Sequence, residues 1–261
     1  MHSSRTPAEI AAVESRRAVL DLEEVGGTGR AIGSGWMSCD VADSWADHAT
    51  SLGLDGPVGD PTLDELVEYY RSRNRVPKIK VTPYQHPTLF AGLAQRGFSL
   101  VESETVLIHS LDHLPPDEPP SGVEFRPMDP ASPGDVRLFR DSQMAGFHSG
   151  AAAPEGMLPI TERMARCTRC RFWIIEVDGV PAGSGGVEFH EASSVLISGC
   201  TAVEFRSRGL QSAFIRYRLQ QVAEHGAAYA LLGSLPGETT ERNALRAGFS
   251  PCFTQMLLQQ S

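Results

Sequence analysis

Nowhere in this 261-residue chain do apolar residues run together for the length a bilayer demands. The opening stretch, MHSSRTPAEIAAVESRRAVLDLEEV, lacks the apolar centre of a secretory leader and has the spacing of an amphipathic helix instead. A disulfide framework is lacking too. The five cysteines are an odd number scattered along a mid-sized chain, which suits a reducing, cytoplasmic setting. Cys167 and Cys170 have the spacing of half a zinc site, but no second Cys/His pair lies at a workable distance, so no metal is expected. Positive charge is also short. The net charge is −9, and residues 1–120 hold 10 Lys+Arg against 18 Asp+Glu, the rest 13 against 14. The front half is a poor surface for a polyanion, so neither nucleic acid nor a membrane is expected as partner, and an anionic cofactor belongs in the back half.

What is present describes a globular chain with a substantial core, 41% hydrophobic and 21% charged. DHLPPDEPPSG, residues 112–122, holds four prolines and little to bury, and predicts a linker between two domains, 1–111 and 123–261. Before it, periodicity predicts a helix over 62–74, a strand over 78–82, a helix stopped by Gly97 and a long strand over 100–111. After it come a strand (VEFRPM), a helix over 134–147, a Gly/Ala-rich loop over 148–156 and a short helix over 157–166. FWIIEVDGVPAGSGGVEF is a hairpin about Asp178-Gly179. SVLISGCTAV is a further strand, in which Gly199 predicts a bulge or a close backbone approach. A helix to His225, the strand YALLGS, the helix in GETTERNALRAGF and a last strand complete the chain. The fold class is therefore α/β, a mixed sheet flanked by helices, in two domains. LAQRGFSLVESETVL (93–107) and ALRAGFSPCFTQMLL (244–258) echo each other, either as a duplicated unit or as two instances of a common helix ending.

The stretch EFRSRGLQSAF, Glu204 to Phe214, stands where a strand-like run meets a helix-like run. There the backbone N–H groups of about Arg208 to Ala213 (Arg208, Gly209, Leu210, Gln211, Ser212, Ala213) open a helix whose dipole favours an anion. Gly209 has no Cβ to hinder the approach, and Arg206 and Arg208 can fork onto phosphate oxygens or simply stand in solvent. A phosphate cradle and a plain polar helix start both fit these residues.

CTAVEFRSRGLQSAFIRYRL resembles the cofactor motif of the GNAT superfamily of acyl-CoA N-acyltransferases, a strand running into Arg/Gln-x-x-Gly-x-Gly/Ala and a helix. Arg206 and Gly209 match its marked positions and Gln211 departs from the third; the order of elements over residues 123–258 follows the family as well. The resemblance implies acetyl-CoA as co-substrate and transfer of the acetyl group to a primary amine of a small molecule or peptide. It implies that backbone groups of Thr201, Ala202 and Val203 take the pantetheine arm and that Asn243 touches its amides. Ala244 stands where many members carry a tyrosine acid, and Glu188 and His190, at the end of a strand, are candidate bases. Residues 1–111 then resemble a partial GNAT half, in which Asp60, Asp64 and Glu65 at the start of the 62–74 helix repel a diphosphate. A GNAT-shaped module without turnover and a nucleotide-phosphate binder are the alternatives.

Overall fold

The computed structural model describes residues 5–40, 44–116, 118–148, 157–190 and 193–261. They form two compact units, Met1–Glu104 with Phe253–Ser261, and Thr105–Cys252.

The first unit opens on α1 (Pro7–Glu24), the amphipathic helix that its spacing predicts. Thr6 caps it reciprocally: Glu9 N–H donates to Thr6 Oγ1 (3.3 Å) and Thr6 N–H to the Glu9 carboxylate (2.7 Å). Strands β1 (Gly29–Ile32), β2 (Gly35–Ser38), β3 (Ala49–Thr50) and β4 (Lys78–Val81) follow in spatial order. Residues Met256–Gln259 of the last strand, β11 (Ser250–Gln260), lie antiparallel to β4. Helices α2 (Asp60–Arg71) and α3 (Pro87–Gln95) bury Leu63, Leu66, Tyr70, Leu89 and Leu93 with Met37, Ile79 and Val81, none more than 1% exposed. Strands β1 to β3 have no forewarning in the sequence, because two to four residues interrupted by glycines give no alternating run.

The second unit takes Thr105–His109 from the end of β5 (Phe98–His109). It continues through β6 (Val123–Pro127), α4 (Pro133–His148), α5 (Met157–Met164), β7 (Cys170–Val177), β8 (Val180–His190) and β9 (Ser193–Thr201). Helix α6 (Leu210–Glu224), β10 (Tyr229–Ser234) and α7 (Thr239–Arg246) complete it. Its strands stand in the order β5, β10, β9, β8, β7, β6, antiparallel except for the parallel pair β9–β10. The Asp178-Gly179 turn has φ of 50° and 77°, the left-handed pair that a two-residue hairpin needs. One face of the sheet packs Trp173, Val187 and Leu232 on Phe214, Leu219 and Val222 of α6. The other packs Phe172 and Ile174 on Val136 and Phe139 of α4.

The Pro-rich 112–122 segment predicts the division of the chain, with 1–111 and 123–261 on its two sides. The compact units divide instead at Glu104/Thr105, inside β5, and at Cys252/Phe253, inside β11. These strands, 12 and 11 residues long, each serve one unit with their first part and the other with their last. Composition reveals linkers but not which ladder a strand joins. The two echoing segments share a local structure: a helix, a left-handed glycine (Gly97, φ 75°; Gly248, φ 97°) and a long strand.

Candidate functional site

The site lies where β9 leaves β10. Their parallel pairing runs from Tyr229–Ser193 to Leu232–Leu196 and stops, although β9 continues to Thr201 and β10 to Ser234. The register of β8 with β9 slips at this point, from Gly186–Ile197 to Ser184–Cys200, so Ser198 and Gly199 together oppose Gly185. Ser198 takes a φ of 56°. This is the bulge that Gly199 predicts. Beyond it the facing sides of β9 and β10 have no ladder between them. Thr201 Oγ1, at the end of β9, is buried without a hydrogen-bond partner among the described residues.

From Thr201 the chain makes one 3-10 turn, Val203–Phe205, and two left-handed residues, Ser207 (φ 62°) and Gly209 (φ 77°), before α6 begins. Gly209 is the N-cap and offers no side chain to the helix; Ala213 N–H donates to its carbonyl (3.0 Å). The N–H groups of Leu210, Gln211 and Ser212 therefore have no carbonyl within the helix. A Cβ on Gly209 would meet nothing within 4 Å, so the chain leaves open space at the residue that caps these donors. Open donors, a positive helix end and a backbone gap suit a diphosphate followed by an extended arm.

The side chains expected at the ligand are mostly occupied elsewhere. Arg206 donates from Nε to Thr201 O (3.2 Å) and from Nη2 to Gly146 O (2.8 Å), tying the loop to the end of α4. Arg208 is exposed, donates to Glu204 O (3.2 Å) and lies 5.2 Å from the Phe205 ring centroid. Gln211 donates to Thr240 Oγ1 (2.8 Å) and accepts from Asn243 Nδ2 (2.7 Å), so both carboxamides join α6 to α7. Leu210 and Ala213 point into the core, leaving only their backbone for a ligand. Ala202 N–H donates to Ala182 O and its carbonyl accepts from Phe205 N–H. The Val203 carbonyl accepts from Arg206 N–H.

Glu188 is fully buried on β8, opposite Val195, one residue short of the last β9–β10 pair, and Arg169 Nε approaches its carboxylate at 3.1 Å. His190 lies further away, opposite Ser193, and its carbonyl accepts from Ser193 Oγ. Between α4 and the bulge sits a group that the sequence does not announce, Ser142, Gln143, Ser184 and Cys200. Gln143 Nε2 is 2.7 Å from Ser184 Oγ, and Cys200 Sγ donates to Ser142 O at 3.4 Å. Burial pushes the Cys200 thiol up, away from a nucleophile's range. Ala244 is wholly buried and carries no proton to give. The 148–156 loop, apart from His148, lies outside the described residues.

In the first unit the start of α2 carries acidic side chains. Arg96 Nη2 lies 2.9 Å from Asp60 and 2.7 Å from Asp64, so both acids at that helix end are paired with an arginine. No group of three His, Cys, Asp or Glu side chains among the described residues is arranged to hold a metal, and no described helix is long and apolar enough to cross a membrane.

The second unit, a mixed sheet whose one parallel pair parts at a bulge and leads into a glycine-capped helix, has the arrangement that the resemblance to the GNAT superfamily implies. The chain is similar over 97% of its length to a GCN5-related N-acetyltransferase from Kribbella flavida, with 95% of that chain covered, a TM-score of 0.70 and 17% identity. It is similar over 98% to a GCN5-related N-acetyltransferase from Sphaerobacter thermophilus, covering 94% of that chain (TM-score 0.64, 15% identity). A tandem GNAT protein from the clavulanic acid biosynthesis pathway matches over 98% of this chain and 96% of its own (TM-score 0.58, 16% identity). No protein-family model and no curated protein matches the sequence. At these identities the likeness is one of fold: the chain has the GNAT fold.

Proposed function

We propose that the chain is an N-acetyltransferase that binds acetyl-CoA at the start of α6 and transfers its acetyl group to a primary amine of a small molecule or peptide in the cytoplasm. One observation carries this reading: the β9–β10 ladder stops at Leu196–Leu232, and β9 runs on through a single turn into a helix whose first-turn N–H groups, behind Gly209, have no side-chain cap. Acetyl-CoA supplies an acyl group already activated as a thioester. The chain's own residues bind and orient. The N–H groups of Leu210, Gln211 and Ser212 hold the diphosphate, with Arg208 at hand in solvent. The unladdered edge of β9 and the Thr201 hydroxyl take the arm, while Arg206 braces the loop through Thr201 O and Gly146 O. Glu188, beside the end of the β9–β10 ladder, accepts the amine's proton, directly or through water; His190, further from that point, is the weaker candidate. With Ala244 in place of a tyrosine, the leaving thiolate takes its proton from solvent.

Calorimetric titration with acetyl-CoA tests the binding half. One site per chain, lost in Gly209→Glu, is expected; no heat and no thermal shift would remove the reading altogether. A second reading, a CoA-binding module without turnover, is favoured by the buried Ala244. Thiol release on a panel of amines separates the two: binding without release on any amine leaves the module.

A further inference from the structure

The β9 bulge is held from both faces of the sheet by buried polar side chains. From α6, Arg218, 2% exposed, brings Nη1 to 3.2 Å from both Gly186 O and Ile197 O, and Nε to 3.3 Å from Phe214 O. Its guanidinium lies 4.4 Å from the Phe214 ring centroid. Gly199 makes room for it: a Cβ there would stand 2.9 Å from Arg218 Nη2. From α4, Gln143, 3% exposed, brings Nε2 to 2.8 Å from Ser198 O. Consecutive carbonyls of a straight strand turn alternately to its two neighbouring strands. Here the carbonyls of Ile197 and Ser198 are both taken by side chains, at the point where β10 departs.

An arginine buried with no carboxylate in ion-pair range among the described residues is costly to keep in place. Burial also pushes its pKa down to about 9, which leaves it charged at neutral pH. Simple packing of α6 on the sheet needs neither a charge nor a glycine cleared to seat one. Holding two carbonyls away from a neighbouring strand needs a donor on each face, and that is what Arg218 and Gln143 supply.

We propose that Arg218 and Gln143 are positioning residues that clamp the β9 bulge from opposite faces and so keep open the gap between β9 and β10 that admits the pantetheine arm. This rests on the acetyl-CoA reading above. Without the clamp, Ile197 O and Ser198 O recover partners as β9 straightens and extends its ladder along β10, which narrows the gap but leaves the α6 N-terminus intact.

The test compares two ligands, acetyl-CoA and 3′-phospho-ADP, which has the diphosphate and lacks the arm, by calorimetry on wild type, Arg218→Met, Arg218→Lys and Gln143→Leu. Arg218→Met and Gln143→Leu are expected to weaken acetyl-CoA by about tenfold or more, the scale of losing a charge-assisted or buried hydrogen bond, and 3′-phospho-ADP by less than about threefold. Arg218→Lys, which keeps the charge and loses the fork, falls between. Equal weakening of both ligands in variants that melt like wild type would overturn the clamp, and so would full acetyl-CoA affinity in all three. If Arg218→Met does not fold, Arg218→Lys and Gln143→Leu carry the same comparison. Wild-type protein that binds neither ligand would instead overturn the cofactor reading, and the clamp with it.

Discussion

Replacing Gly209 by alanine separates conformation from binding. The residue sits at φ 77°, where an L-side chain costs about 1–2 kcal/mol. An added Cβ meets nothing within 4 Å, so no clash adds to this. The stiffer unfolded chain returns about 0.4–1 kcal/mol. The net loss is about 1 kcal/mol, or a fall of about 2–4 °C in Tm for a chain of this size. Binding suffers more. With the diphosphate on the Leu210, Gln211 and Ser212 N–H groups, as proposed, the methyl stands beside the bound anion, and holding it off one of them forfeits about 1.5–3 kcal/mol. At 1.4 kcal/mol per decade, acetyl-CoA binds about 10- to 150-fold more weakly. Gly226, just past the other end of α6, provides the control: its φ is 83° and its Cβ would also meet nothing within 4 Å. Gly226→Ala carries the same conformational penalty with no cradle to disturb. Calorimetry and thermal melts on the three proteins, at one ionic strength, decide the matter. Two alanine variants equal in Tm and equal in affinity to wild type would refute the placement of the diphosphate at Gly209.

Three further outcomes are expected. His48 is buried in the first unit, where burial, ahead of Lys80 nearby, pushes its pKa from 6.5 to about 3. The folded protein keeps it neutral while the unfolded chain takes up a proton. Stability present above pH 6.5 is lost as pH falls toward 3, by about 2 kcal/mol at pH 5. His48→Gln should flatten that part of the urea midpoint against pH, and an unchanged slope refutes the assignment. Glu188→Gln should lower kcat by about 10²–10⁴ with acetyl-CoA affinity intact; an unaltered kcat excludes Glu188 as the base. Deleting Phe253–Ser261 should speed amide exchange across Lys78–Val81, which lose their β11 neighbour, more than across Tyr229–Ser234; equal acceleration would contradict the division of the chain.

Much of the fold was legible because its long elements announce themselves. The Asp178-Gly179 turn, the apolar stripe of α2 and the glycine stops after α3 and α7 are local signals, and each marks a real element. The β1–β2–β3 stretch is made of short pairings that exist only through their neighbours, so no window of sequence contains them. The exchange of the β5 and β11 ends between units is equally non-local. At the site, Gly209 was legible because its conformation is written into its residue type. Arg218 was not: on a helix it passes for one more polar position, and only the bulge beneath it gives it a task.

Gln211 carries the sharpest lesson about reading a motif. It departs from the small residue of the GNAT pattern and, from the sequence alone, threatens the approach of a phosphate. The structure holds its carboxamide between Thr240 Oγ1 at 2.8 Å and Asn243 Nδ2 at 2.7 Å, so only its N–H is left for a ligand. Asn243 is committed for the same reason. Gln211→Gly therefore makes the chain more like the family and less stable. It removes two hydrogen bonds between α6 and α7 and adds the conformational freedom of a helical glycine, together about 1.5–4 kcal/mol. It removes nothing from the path of an anion. Melting should show the loss, and calorimetry should find acetyl-CoA bound no more tightly than by wild type. A clear gain in affinity would mean that the glutamine side chain does enter the cradle, and that this loop holds the diphosphate in another way.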